Sequence, residues 1–125
     1  MTECLPVRVF KTKWFTKAAK SHGLPDSELC LAITAVFKGQ ADHLGGGVYK
    51  KRLSQNRDRA IILAKGGRHW FYTYLYGKQD TANISEAELV GFRELAKYYA
   101  VLTTEQIRVL MRRKELVEIC HDCKK

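Results

Sequence analysis

Between Val48 and Leu89 the chain reads VYKKRLSQNRDRAIILAKGGRHWFYTYLYGKQDTANISEAEL, and this stretch restricts the possible folds most tightly. Val48–Leu53, Arg59–Ala64 and His69–Tyr76 are short runs rich in β-branched and aromatic residues, bounded by turn formers, so each reads as a strand. Gly66-Gly67 marks a hairpin between the second and third runs, and Gln55–Asp58 is a short polar turn between the first two. Ser85 and Glu88 have the spacing of a capping box. The helix it opens continues through Leu89, Phe92, Leu95, Ala96 and Tyr99 at three- and four-residue steps. A three-stranded meander with helices on one face is the economical arrangement, which makes the fold class α+β.

Upstream, Val7–Phe10 reads as a first strand, and Thr12 is placed to cap a helix with an apolar stripe of Trp14, Phe15, Ala18 and Ala19. Gly23 suits the end of that helix. Pro25 and Asp26 begin a second one, with Leu29, Ile33, Val36 and Phe37 inward, so the two form a helical hairpin. Gly45-Gly46-Gly47 could cradle a phosphate only if a helix followed. A strand follows, so the triplet is a bent entry into the sheet. Thr103 and Gln106 repeat the capping-box spacing, and a final helix is expected to run to about Ile119. It carries Ile107, Leu110, Met111 and Val117 beside Arg108, Arg112, Arg113 and Lys114. With 125 residues the chain fits one domain, residues 1–102 forming its body and 103–125 a helical extension.

The net charge of +9 is uneven. Residues 1–65 hold 12 Lys/Arg against 5 Asp/Glu, or +7, and residues 66–125 hold 10 against 8, or +2. Such a field favours encounter with anionic partners, whether nucleic acid or an acidic protein. No apolar run approaches the ~20 residues needed to span a bilayer. The N-terminus lacks the pattern of a signal peptide. Four irregularly spaced cysteines suit reduced thiols, so a cytoplasmic location is expected.

RNA can be cleaved without a metal when its own 2′-OH attacks the adjacent phosphorus. Preorganised Arg and Lys side chains then stabilise the charge that develops on the phosphoryl oxygens. A lysine crowded by other cations can also exchange protons near neutral pH. Lys50, Lys51, Arg52, Arg59 and Lys78 supply that inventory, with Lys51 on the opposite face of its strand from Lys50 and Arg52. A basic but inert face is an equally good reading of these cations alone. Alternation places Trp70, Tyr72, Tyr74 and Tyr76 on one face and Phe71, Thr73 and Leu75 on the other. Most of these aromatics are expected in the core, with Tyr76 the exposed exception, available for stacking on a base. His69 is the histidine nearest the sheet cations. Cys120-His121-Asp122-Cys123 is half a zinc-ligand set whose other half is far away in sequence, so it reads as a reduced tail. No metal or cofactor is expected.

Several segments, in order, resemble the RelE-type toxins of bacterial type II toxin–antitoxin systems, nearest to a phage-derived, HigB-like group. They are VFKTKWFTKAAKSHGL, GGGVYKKRL, DRAIILAKGG, and YLYGK with NISEAEL. The resemblance implies a RelE-like twisted antiparallel sheet with an N-terminal helical hairpin and C-terminal helices. It implies cleavage of mRNA, usually on the ribosome, and a cognate antitoxin that is a helix-turn-helix or acidic protein. By position, Lys50, Lys51 and Arg52 match the family's basic strand, Arg59 the arginine opening the next strand and Lys78 the cation after the last. Lys51, Arg52, Arg59 and Lys78 are taken as catalytic, and Lys50, Asn83, Tyr76, Lys11 and Lys13 as candidate RNA contacts. Asn83 and Ser85 match the family's NIS turn. One departure is clear: the glycine-rich segment usual before the arginine matching Arg59 is here the shorter, glycine-free Ser54–Asp58. The alternatives are a non-catalytic nucleic-acid-binding regulator derived from such a toxin, and a plain interaction protein. The C-terminal extension could cover the sheet, pair two copies as a homodimer, or bind RNA through Arg112, Arg113 and Lys114.

Overall fold

A computed structural model describes residues 8–55, 57–65, 68–77 and 84–120. Ten elements follow in order: β1 (Arg8–Thr12), α1 (Lys13–His22), α2 (Asp26–Phe37), β2 (Asp42–Gly45), β3 (Val48–Leu53), β4 (Asp58–Lys65), β5 (His69–Gly77), α3 (Glu86–Ala100), α4 (Thr104–Arg112) and β6 (Leu116–Ile119). The α+β class and the helical hairpin stand as expected. The expected meander is the centre of a larger sheet, ordered β2-β3-β4-β5-β1-β6. β1 lies parallel to β5, pairing Arg8 with His69 through Lys11 with Tyr72, while β6 runs antiparallel to β1.

Local signals explain the ends of the elements. Thr12 Oγ1 accepts from the backbone N–H of Phe15 at 3.1 Å. The Ser85/Glu88 and Thr103/Gln106 capping boxes are both closed. The expectation that the last helix reaches Ile119 is corrected: α4 ends at Arg112, and Lys114 is left-handed at φ 62°. Glu115 N–H then donates to Leu110 O, and Leu116–Ile119 emerges as a strand. Val117 therefore belongs to an edge strand, where Arg8 grips Glu118 with two bonds of 2.8 and 2.9 Å. The Gln40–Gly47 connection also holds a strand, β2. The bend at Gly45-Gly46-Gly47 is as expected, with φ of 89°, 64° and 81°. A Cβ at Gly46 would sit 2.9 Å from Arg93 Cγ, so the bend also admits the side chain that reaches from α3 to Leu44 O.

Helices cover both faces of the sheet, not one. On one face Phe15, Ala19, Leu29, Ile33 and Val36 from α1 and α2 pack on Val9, Leu53, Ala60, Ile62, Trp70, Tyr72 and Leu75. On the other, Ala96, Tyr99 and Ile107 from α3 and α4 pack on Phe10, Val48, Ile61, Leu63, Phe71 and Tyr76. Tyr72 shows how closely the first layer is tied, its buried hydroxyl donating to Leu29 O at 2.7 Å. Residues 103–119 thus cover one face through α4 and lengthen the sheet through β6. Trp14 does not join the inward stripe of α1. It is 51% exposed.

The cysteines are also corrected. Cys30 of α2 and Cys120 at the end of β6 form a disulfide across 90 residues of chain, with Cα atoms 5.5 Å apart. Both sit against the first core layer, where α2 passes over the sheet edge. Cys4, His121 and Cys123 lie outside the described residues.

Candidate functional site

Strand alternation decides which cations can act together. On β3, Lys50 and Arg52 share the face of Val48, beneath α3, while Lys51 shares the face of Leu53. On β4, Arg59 joins the Lys50–Arg52 face because its neighbour Ala60 packs under the helical hairpin. The register sets Arg52 directly opposite Arg59, and Arg59 directly opposite Tyr76. Like charges facing each other across two strands normally destabilise a sheet. Keeping two arginines there is sensible if an anion is meant to lie between them.

The aromatic reading changes at a β-bulge. The β4–β5 register shifts between Ile61 and Ile62, so Ile61 faces Tyr74 while Ile62 faces Tyr72. Thr73 takes up the extra residue, and its hydroxyl donates to Ile61 O at 3.1 Å. Simple alternation fails at that point. Trp70, Tyr72 and Leu75 face the helical hairpin, whereas Phe71, Tyr74 and Tyr76 face α3. The bulge is what brings Tyr76 onto the face of Arg59.

Tyr76 is not the exposed aromatic expected from its place near the strand end. It is 4% exposed, and Arg59 beside it is 7% exposed. Ile84 and Leu89, at the start of α3, pack on this layer. Burial raises the Tyr76 phenol above its ordinary pKa, partly opposed by the Arg59 charge, while Glu88, Tyr74 and Asp42 raise it further. The phenol therefore stays protonated at neutral pH. Its oxygen is buried and has no hydrogen-bond partner among the described residues. A buried hydroxyl in that state is poised to donate to an incoming acceptor.

The other expected contacts distribute as follows. Lys50 Nζ lies 3.7 Å from Asp42 of β2. Lys51 and Arg52 have no acidic partner among the described residues. Despite the alternation, an open groove of about 300 Å³ between the end of α2 and β3 is lined by Asp42, Lys50, Lys51 and Arg52 together. Lys11 is paired with Asp26 at 2.7 Å, and Lys13 is exposed. Lys78 and Asn83 lie outside the described residues. His69 is half-buried and stacks on Phe10 with parallel planes.

Sequence reading missed His22. Its Nδ1 lies 3.1 Å from the Asp58 carboxylate, whose side chain is 2% exposed. Arg57 bonds the same carboxylate at 3.0 and 3.2 Å and donates to His22 O at 2.8 Å. Nothing local in the sequence connects residues 36 apart; only the fold brings them together. Glu28 Oε2 also accepts from Ser54 N–H at 2.8 Å. Ser54 and Gln55 are left-handed at φ 53° and 55° without being glycine. The short turn before Arg59 is thus clamped from both sides by α1 and α2.

The Asp58 carboxyl makes a pH prediction. Burial acts to raise its pKa, but the hydrogen bonds and charges of Arg57 and His22 prevail and lower it. A lowered folded-state pKa contributes stability above the unfolded value of about 4, and that contribution is lost as pH falls through the folded value. Asp58→Asn should therefore cost about 1–3 kcal/mol at pH 7, a cost that shrinks as pH falls below about 4, measured by urea unfolding across that range. An equal cost throughout the range would contradict this account.

Comparison with known protein families decides the ancestry. Residues 7–119 match the family model described as RelE toxin of the RelE/RelB toxin–antitoxin system. The chain belongs to the RelE toxin family. The match includes α4 and β6, so these elements lie within the span of the RelE family model. RelE toxins form one half of a toxin–antitoxin pair, which implies an antitoxin partner for this chain. No curated protein and no solved structure matched it in the companion comparisons. Among the described residues, no helix is long and apolar enough to cross a membrane.

Proposed function

We propose that this RelE-family toxin is an mRNA endoribonuclease that blocks translation, acting on mRNA held in the ribosome, and that it descends from the phage-derived, HigB-like branch. The observation that carries this reading is the buried Arg59–Tyr76 pair facing Arg52. It offers two guanidinium groups and a neutral phenol to one anion. In the reaction the 2′-OH attacks the neighbouring phosphorus and the bond to the 5′-oxygen breaks, leaving a 2′,3′-cyclic phosphate and a 5′-hydroxyl. Arg59 and Arg52 stabilise the charge gathering on the phosphoryl oxygens. Tyr76 Oη, which has no partner among the described residues, donates a hydrogen bond to the same group. Lys51, which lines the groove beside Arg52, and Lys78 are assigned to the reaction from the family resemblance. The basic face also suits an acidic or helix-turn-helix antitoxin that would cover it.

One observation favours the second reading, an RNA-binding regulator without cleavage. The glycine-rich segment usual before Arg59 is replaced by a turn fastened through Glu28, Arg57 and His22. Induced expression in bacteria lacking the antitoxin separates the two. The endoribonuclease reading predicts growth arrest with a rapid fall in protein synthesis. Normal growth, with salt-dependent RNA binding by the purified protein, would favour the regulator.

A further inference from the structure

α1 begins with an aromatic residue that the core does not use. Trp14 is 51% exposed, although its backbone is fixed in the first turn by the Thr12 cap and by Lys13 N–H donating to Glu115 O at 3.0 Å. Its ring stacks on Tyr74, with centroids 5.0 Å apart and planes 30° apart. Tyr74 in turn lies 5.8 Å from the Tyr76 ring and 5.6 Å from Phe92. This contact is possible because β5 runs on past its last pairing with β1, at Tyr72, leaving the sheet rim open where α1 starts. The result is a row of rings from the buried Arg59–Tyr76 pair out to solvent, and the exposed Lys13 precedes its outer ring in the chain.

We propose that Trp14, backed by Tyr74, is a stacking platform for a nucleobase of single-stranded RNA, lying along the strand from the phosphate held at Arg59. The inference deepens the RNA-cleaving reading above and rests on it. A base fits this surface better than a protein side chain. The platform is continuous with the anion site through two ring-to-ring steps, with Arg59 beside the inner ring and Lys13 next to the outer one in the chain. Trp and Tyr faces accept any base, and a rigid half-exposed indole loses little freedom on stacking. The platform would set the position of the strand and favour strongly stacking bases at one nucleotide. It makes Trp14 a positioning residue, not a catalytic one.

The test is a binding measurement with a short RNA that is 2′-O-methylated throughout and so cannot be cleaved, scanned with a single abasic nucleotide. Trp14→Ala should weaken binding of the intact oligonucleotide about 5- to 100-fold, with Trp14→Phe retaining most of the affinity. One abasic position should weaken wild type to a similar degree, and at that position Trp14→Ala should add no further loss. Unfolding temperature and circular dichroism check that the variants fold, and the exposure of Trp14 predicts that they do. Equal affinity of wild type and Trp14→Ala overturns the platform while leaving the RNA reading intact, and would assign the exposed rings to a protein partner. A Trp14→Ala loss that persists at every abasic position also overturns it. Failure of wild type to bind this free RNA at all overturns the platform, while the cleavage reading, which places the mRNA in the ribosome, is decided by the expression test.

Discussion

Arg59→Ala is expected to lower the rate of RNA cleavage by about 100- to 1,000-fold, the range typical for losing one preorganised donor to a developing oxyanion. Stability should change much less, because relief of a like-charge pair offsets part of what the buried side chain contributes through its bond to Asp58 O. Arg59 sits opposite Arg52, and relieving a facing pair of like charges is worth a few tenths to about 1 kcal/mol. Loss of activity in a variant as stable as wild type would mark Arg59 as a residue kept for function at the expense of the sheet. Arg59→Lys keeps the charge but loses the planar fork, so its cleavage rate should fall between the two. Single-turnover rates and urea unfolding on the same three proteins check this. A variant that loses activity only in proportion to its unfolding would show Arg59 to be structural.

Opening the Cys30–Cys120 disulfide is expected to have the largest effect on stability. The bond spans a sequence separation of 90, for which the chain-entropy view gives an upper value of about 4–5 kcal/mol through the unfolded state, and cross-links of this kind typically contribute about 2–4 kcal/mol. Cys30→Ser, and equally the addition of a thiol reductant to the oxidised wild type, should lower the free energy of urea unfolding by that amount, with a matching fall in the midpoint. The reductant should leave Cys30→Ser unchanged. The site face should be little affected at low temperature, since both cysteines pack in the layer beneath the helical hairpin while Arg59 and Tyr76 face α3. Identical unfolding with and without reductant would contradict the pairing.

These two predictions draw on very different depths of sequence information. The β3–β4–β5 meander, the helix caps at Thr12, Ser85 and Thr103, and the pairing of Lys50 with Arg52 on one face of β3 were legible because they rest on local rules. Side chains alternate along a strand, and a capping oxygen reaches only three residues ahead. What depended on long-range pairing was not legible. The parallel contact of β1 with β5, and the return of β6 to pair with β1, join segments 60 or more residues apart. The bulge at Thr73 has no signature in YTYLY, yet it moves Tyr74 and Tyr76 to the opposite face from Tyr72. That shift is why Tyr76 is buried beside Arg59 instead of exposed, and why Trp14 finds a ring to stack on. His22 and Cys30 likewise acquire their partners only through the fold.

The central claim is that the Arg59 face cuts RNA. Its most direct test is to map transcript ends after brief induction of wild type and of Arg59→Ala in the same cells. The account predicts new 5′-hydroxyl ends within coding regions, matched to upstream fragments ending in 2′,3′-cyclic phosphate, in wild type alone. End maps that are the same for the two proteins would contradict it.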